Sequence, residues 1–241
     1  MAGRDVWIPY CGKGPAPDDL WMRWNLDPVL LAALAVLAGT LWIALPARRT
    51  PATAAIVVLA LVFVSPLCAL SSALFTARTV HHVLLSGALA PLLAWALPAP
   101  RRNGLALFTL AFAAVFWAWH APVAYEAALS NDGVYWLMQA SLAAVALCFW
   151  RAVRAAPAPA AVAALLATTV QMGLLGALLT FLPRAIYAPH ALTTAAWGLS
   201  PLDDQQLAGL VMWIPASAIY LLAALALLGG RLRKATRPAA A

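Results

Sequence analysis

Four histidines carry the chemistry this sequence could do: His81, His82, His120 and His190. His81 and His82 are adjacent, at the start of a strongly apolar run. Cys11 adds a thiol near the N-terminus, and Met138 and Met212 add thioethers. Imidazole, thiolate and thioether form a soft donor set suited to copper, above all Cu(I), whereas hard cations take carboxylate oxygens. An ionisable or metal-binding side chain at the edge of a hydrocarbon slab is costly, which makes the histidine pair a candidate site. Hydrolytic chemistry has no constellation here. The chain has no Walker A sequence, no Gly-x-Ser-x-Gly and no His-Glu-x-x-His, and no buried acid can be assigned to a Ser–His pair.

Each donor also has a plain structural reading. Adjacent helical residues point about 100° apart, so at most one of His81 and His82 is expected to face a bundle centre. His82 is favoured, because Gly87-Ala88 and Ala90 offer close packing beyond it. His190 follows Pro189 in a connection and reads as a solvated residue. Met172 reads as packing, and Gln171 as a bond to a neighbouring helix. Cys148 reads as a small core residue. Cys68 belongs with Ser65, Ser71 and Ser72 to a polar stripe of helix contact. Three widely spaced cysteines, with no Cys-x-x-Cys, argue against a disulfide framework.

These residues must be positioned by membrane helices. Of 241 residues, 65% are hydrophobic and 10% are charged, against about 25% charged in a soluble domain. The sequence predicts an all-α membrane protein, a bundle of seven transmembrane helices. Residues 1–27 form a proline- and glycine-rich outer tail with no apolar signal region, so an early span must act as its own uncleaved signal. Spans are expected at about 28–46, 54–75, 78–97, 104–121, 134–151, 160–182 and 204–229, within a domain of residues 28–229. Residues 230–241 make a basic tail suited to anionic lipid.

The charges orient this layout. The connections after helices one, three, five and seven hold ten basic residues and no acid; the opposite side holds five basic residues and all eight acids. Basic loops face the cytoplasm, which puts the N-terminus outside and the C-terminus inside. The +7 net charge is therefore a topology signal, and no nucleic-acid partner is expected. All four histidines, Cys11, Met138 and Met212 then belong to the outer half. Trp117, Trp119, Trp136 and Trp197 read as an interfacial belt.

The densest polar stretch runs from Trp197-Gly198-Leu199-Ser200-Pro201-Leu202 through Asp203-Asp204-Gln205-Gln206 to Gly209 and Met212-Trp213. Ser200, Pro201 and Asp203 have the spacing of a helix start. Gln205, Gly209 and Met212 fall on one face, and Pro215 can kink the helix.

That motif, together with Ser65-Pro66-Leu67, His82 and Trp119-His120-Ala121-Pro122, resembles the CtaG family: the seven-helix proteins needed to assemble bacterial cytochrome c oxidase, distinct from a single-span copper chaperone sharing the name. The resemblance covers helices two to seven. One position departs: where the family often reads His-Met-x-x-His, this chain has Arg78 and Thr79. The resemblance implies a non-enzymatic assembly factor of the bacterial inner membrane, acting at copper delivery. Its partners would be the oxidase catalytic subunit and a periplasmic copper chaperone. The expected site is His82 and His120, with His81, Met212, Cys11 and His190 as further ligands. Three alternatives stand beside it: a bis-histidine haem b cytochrome, a metal-free docking scaffold or accessory oxidase subunit, and a transporter, which would call for ionisable groups at the midplane.

Overall fold

The structure is a computed structural model and describes residues 7, 9–100 and 104–235. Several charges used above, among them Arg101, Arg102 and Arg237, lie outside the described residues. All regular structure among the described residues is helical: α1 (Pro28–Ala44), α2 (Arg49–Phe63), α3 (Pro66–Ala73), α4 (Phe75–Leu84), α5 (Ala90–Ala96), α6 (Leu105–His120), α7 (Pro122–Ser130), α8 (Asp132–Ala155), α9 (Ala158–Phe181), α10 (Pro201–Val211) and α11 (Ser217–Ala235).

Local chemistry sets many of the helix starts. Asp27, Ser65 and Ser200 each precede a proline, and each side chain accepts a backbone N–H of the first turn. Proline loses nothing at that position, since its missing N–H would have had no partner there. Ser200 and Asp203 close a reciprocal capping box. Asn131 caps α8 in the same way, through the N–H of Val134.

Five helical spans are long and apolar enough to cross a membrane: Pro46–Phe63, Phe75–Ala96, Asp132–Ala155, Ala158–Phe181 and Pro201–Arg233. Leu105–His120 and Pro122–Ser130 pass together as a sixth, bent by 72° at Ala121. Pro28–Ala44 is apolar but only 17 residues long. It packs chiefly on α2, at the bundle edge. Large apolar side chains such as Leu110, Val170 and Leu174 are exposed, as expected of surfaces that meet lipid.

The expected second helix, 54–75, is instead two. It starts earlier, at Arg49, and breaks at Val64-Ser65, where Ser65 and Pro66 begin α3. Leu74 alone is extended before α4 begins at Phe75, so Arg78, expected as the first residue of the third span, lies one turn inside the helix. The last helix runs on to Ala235, so the boundary expected at residue 230 falls within α11. Two π-turns interrupt the long spans, Leu85–Leu89 between α4 and α5 and Met212–Ala216 between α10 and α11. Pro91 and Pro215 have no N–H for the carbonyl four residues back, and the wider turn absorbs that loss.

The N-terminal tail is fastened to the bundle. Cys11 and Cys68 form a disulfide, which corrects both the reading of Cys11 as a metal ligand and that of Cys68 as simple helix contact. Parity of the cysteine count said nothing about which two would meet; Cys148 is the odd thiol and is free. The Tyr10 hydroxyl donates to Asp27 at 2.7 Å. Burial and that carboxylate push the tyrosine up to about 12. Trp197 donates from its indole to the carbonyl of Pro15 at 3.0 Å.

The tryptophans read as a belt are partly buried and tied inward. Trp117 donates to Gln171 at 3.0 Å, Trp119 to Ser141 at 2.8 Å, and Trp136 stacks on Phe63.

Candidate functional site

The site is built on α4. Its N-terminus has no cap from its own segment. The carboxylate of Asp204, from α10, accepts the backbone N–H of Phe75 at 2.6 Å and of Thr76 at 3.0 Å. The Thr76 hydroxyl donates back to the Asp204 carbonyl at 2.8 Å. Asp204 is fully buried. A negative group at a helix N-terminus satisfies orphan donors and complements the helix dipole. Gln205 does the corresponding work for the connection after α9. It accepts from the Ile186 N–H at 2.8 Å and donates to the Arg184 carbonyl at 3.2 Å. Two polar residues that looked out of place in an apolar helix thus anchor α4 and the loop leading to His190.

Arg78, His81 and His82 are related by i, i+3 and i+4, so one face of α4 presents all three. All three are buried, Arg78 and His81 completely. Both histidines thus point inward, against the expectation that one would face away. The Arg78 guanidinium lies 5.2 Å from the Tyr135 ring centre, a cation–π contact. His81 stands edge-on to Phe63 at 5.2 Å and lies 5.9 Å from His82, ring centre to ring centre. His82 lies 6.1 Å from His120.

His120 ends α6, where Ala121 turns the chain. Its Nδ1 lies 2.7 Å from the Phe116 carbonyl. A carbonyl only accepts, so Nδ1 carries the proton and Nε2 presents its lone pair. The Tyr187 hydroxyl donates to the His120 carbonyl at 2.8 Å, which fixes this helix end from the α9–α10 connection.

His190 is buried rather than solvated. Its Nε2 shares a 2.6 Å hydrogen bond with the Tyr125 hydroxyl. Burial, reinforced by the charge of Arg78, lowers its imidazole to about 3. That bond gives His190 a structural tie of its own. Met138 and Met212 are fully buried. Met212 sits in the π-turn that packs on α4. Phe75 meets Asp204 across the two helices, and from that level His82 is seven residues along α4 and Met212 eight along α10. The two therefore lie at comparable depth, on the order of 10–12 Å at 1.5 Å per residue. Cys11, disulfide-bonded, offers no thiolate; its sulfur lies 3.3 Å from the Tyr135 hydroxyl.

Among the described residues, neither imidazole nitrogen of His82 has a hydrogen-bond partner, and neither do the hydroxyls of Ser72 and Thr79. Buried polar atoms are normally paired, and such a concentration is exceptional. The His82 imidazole is therefore committed to no other partner. Also among the described residues, no three of His, Cys, Asp and Glu come together in a metal-holding group. The two imidazoles that face each other are His82 and His120, 6.1 Å apart from ring centre to ring centre. The Arg78 charge is set against any cation here, and more strongly against a divalent one.

Sequence reasoning missed Arg78, Tyr125, Tyr135 and Asp204. The signal for two of them was visible: an arginine at i−3 and i−4 from a histidine pair, and an acid entering an apolar helix.

These features define a polytopic α-helical membrane protein with a buried cluster of imidazoles, phenols and one guanidinium near one end. Residues 103–234 match the family Caa3_CtaG, described as a cytochrome c oxidase caa3 assembly factor, and the chain belongs to that family. The matched segment contains His120, His190, the Asp204–Met212 face and α11 up to residue 234, and leaves out α4 with His81 and His82. No curated protein and no solved structure matches the chain.

Proposed function

We propose that this chain is a non-enzymatic factor in the assembly of a caa3-type cytochrome c oxidase, and that it assists delivery of Cu(I) to the oxidase catalytic subunit. Family membership supports the assembly role. The observation that carries the copper reading is the approach of His82 to His120 at 6.1 Å. Two imidazoles bound through ~2 Å bonds to one ion have ring centres roughly 5–6 Å apart. Copper is cargo in this reading. His82 and His120 hold it, with His81 and the Met212 thioether as neutral donors at similar depth. Arg78 favours a monovalent ion and eases its release. A periplasmic copper chaperone would supply the ion.

The protein sits in the bacterial plasma membrane as seven spans, counting Pro28–Ala44 and the bent α6–α7 pair. The N-terminus is outside and the C-terminus inside, so the cluster faces the outer compartment. The charge distribution supports this orientation. A C-terminal reporter active only in the cytoplasm is expected to work, and one active only outside to be silent.

A haem reading would need a porphyrin between His82 and His120. Phe116 packs on the His120 ring at 4.4 Å and Phe75 at 6.4 Å, which disfavours it. The test is competition for Cu(I) between the purified protein and a chromogenic chelator. One ion per chain is expected for the wild type. His82→Ala and His120→Ala should each lose it and impair oxidase activity while still accumulating in the membrane; His190→Ala should retain binding. A wild type that holds no copper yet is needed for oxidase activity would leave the metal-free docking scaffold.

A further inference from the structure

The opposite end of the bundle carries a second arrangement that the assembly role does not use. Three arginines converge there on the C-terminal turn of α5. Arg48 donates to the Trp95 carbonyl at 2.6 Å, Arg154 to Leu97 at 3.2 Å and Arg151 to Pro98 at 3.2 Å. The last carbonyls of a helix are its negative pole, so one guanidinium donor of each is satisfied. A guanidinium has five donors, and most of these remain. Arg48 and Arg151 lie close enough to act on Arg154 electrostatically. The described acids all belong to the other end of the bundle, where Asp19 pairs with Arg23.

Beside this cluster a cleft of about 460 Å³ opens between α5, α8, α9 and α11. Trp95, Trp150, Leu165 and Leu227 line it, and so do Arg154 and Arg231. Among the described residues that line it, the charged ones are the two cations and the rest are apolar. The volume is that of a small-ligand site, within about 300–1,000 Å³. The helices that form it expose leucines to the hydrocarbon, among them Leu166, Leu222 and Leu225. An apolar slot between lipid-facing helices, with guanidiniums that no described acid faces, is complementary to an anionic amphiphile.

We propose that this cleft binds one anionic phospholipid, an acyl chain against Trp95, Trp150 and Leu227 and the phosphate between Arg154 and Arg231. A zwitterionic lipid brings its own cation into the cluster and is disfavoured. Occupancy bears on the histidine helix through Trp150. Its indole donates to the Ser86 carbonyl at 2.8 Å, and the Ser86 hydroxyl donates to the His82 carbonyl at 2.9 Å.

The experiment is native mass spectrometry of the full-length, delipidated protein, titrated with phosphatidylglycerol, with phosphatidylcholine of the same chains, and with inorganic phosphate. One phosphatidylglycerol is expected to bind at least tenfold more tightly than phosphatidylcholine and to raise the unfolding temperature. Arg231→Gln, at a position outside the α5 clamp, should remove the headgroup preference. Arg154→Gln should do the same, but it also loosens α5, so Arg231→Gln decides. Ala226→Phe, which fills the cleft, should weaken both lipids, and Arg23→Gln at the far end should change nothing. Equal binding of the two lipids, a preference that survives Arg231→Gln and Ala226→Phe, full competition by phosphate alone, or a polypeptide held in the cleft instead would each overturn the proposal.

Discussion

The carboxylate of Asp204 caps a helix that begins at Phe75, across a sequence separation of 129 residues. The helix it closes is the one that carries Arg78, His81 and His82. Asp204→Ala should therefore loosen the site without touching a histidine. Hydrogen bonds to a charged group contribute about 1.5–3 kcal/mol each, and two are lost. Asp204→Asn keeps one acceptor oxygen and should fall between wild type and Asp204→Ala in thermal unfolding in detergent. Equal loss in the two variants would show that the carboxylate's charge, not its geometry, holds α4.

Gly209 and Gly176 let α10 and α9 meet backbone to backbone. A Cβ on Gly209 would come within 2.6 Å of the Gly176 carbonyl oxygen, and one on Gly176 within 2.7 Å of the Gly209 carbonyl oxygen. Backbone cannot yield as a side chain can. Gly209→Leu should cost at least the ~1–3 kcal/mol typical of overpacking and lower the amount of folded protein in membranes. Leu210→Ala, on the partly exposed side, should be milder. Membrane accumulation and fluorescence-detected size exclusion report both.

His190 should make stability depend on pH. Its native imidazole titrates near 3, against an ordinary value of 6.5. Between those values the unfolded chain binds more protons than the native one. The contribution is complete above pH ~6.5 and falls by up to about 1.4 kcal/mol per unit as the pH drops towards 3. His190→Gln, which can still bond Tyr125, should flatten the slope of melting temperature between pH 6.5 and 4.5.

The Cys11–Cys68 bond closes a loop with a sequence separation of 57. Chain-entropy arguments put its contribution at about 4 kcal/mol. Cys11→Ser and Cys68→Ser should each lower the unfolding temperature and make the tail before α1 accessible to protease. Cys148→Ser should do neither. Thiol labelling should modify one cysteine in the unreduced wild type and three after reduction and unfolding.

The sequence by itself determined whatever depends on neighbours along the chain. Ser200-Pro201 announces a helix start because a cap acts within one turn, whereas Ser65-Pro66, by the same chemistry, starts a helix where one continuous span was expected. The inward face of Gln205, Gly209 and Met212 follows from helical periodicity, and all three are buried. The apolar runs and one-sided arginines marked a membrane bundle because hydrocarbon imposes its length and polarity on each span separately. Only the tertiary structure decided which buried groups meet. Arg78 reads as an interfacial charge at the start of a span until Leu74 turns the chain and α4 carries it inward. His190 reads as solvated until Tyr125, 65 residues away, bonds to it. Asp204 reads as a surplus acid until α4 arrives with two N–H groups. Each of these is set by which helices pack together, and the energy that pairs distant partners has no trace in the residues on either side of them.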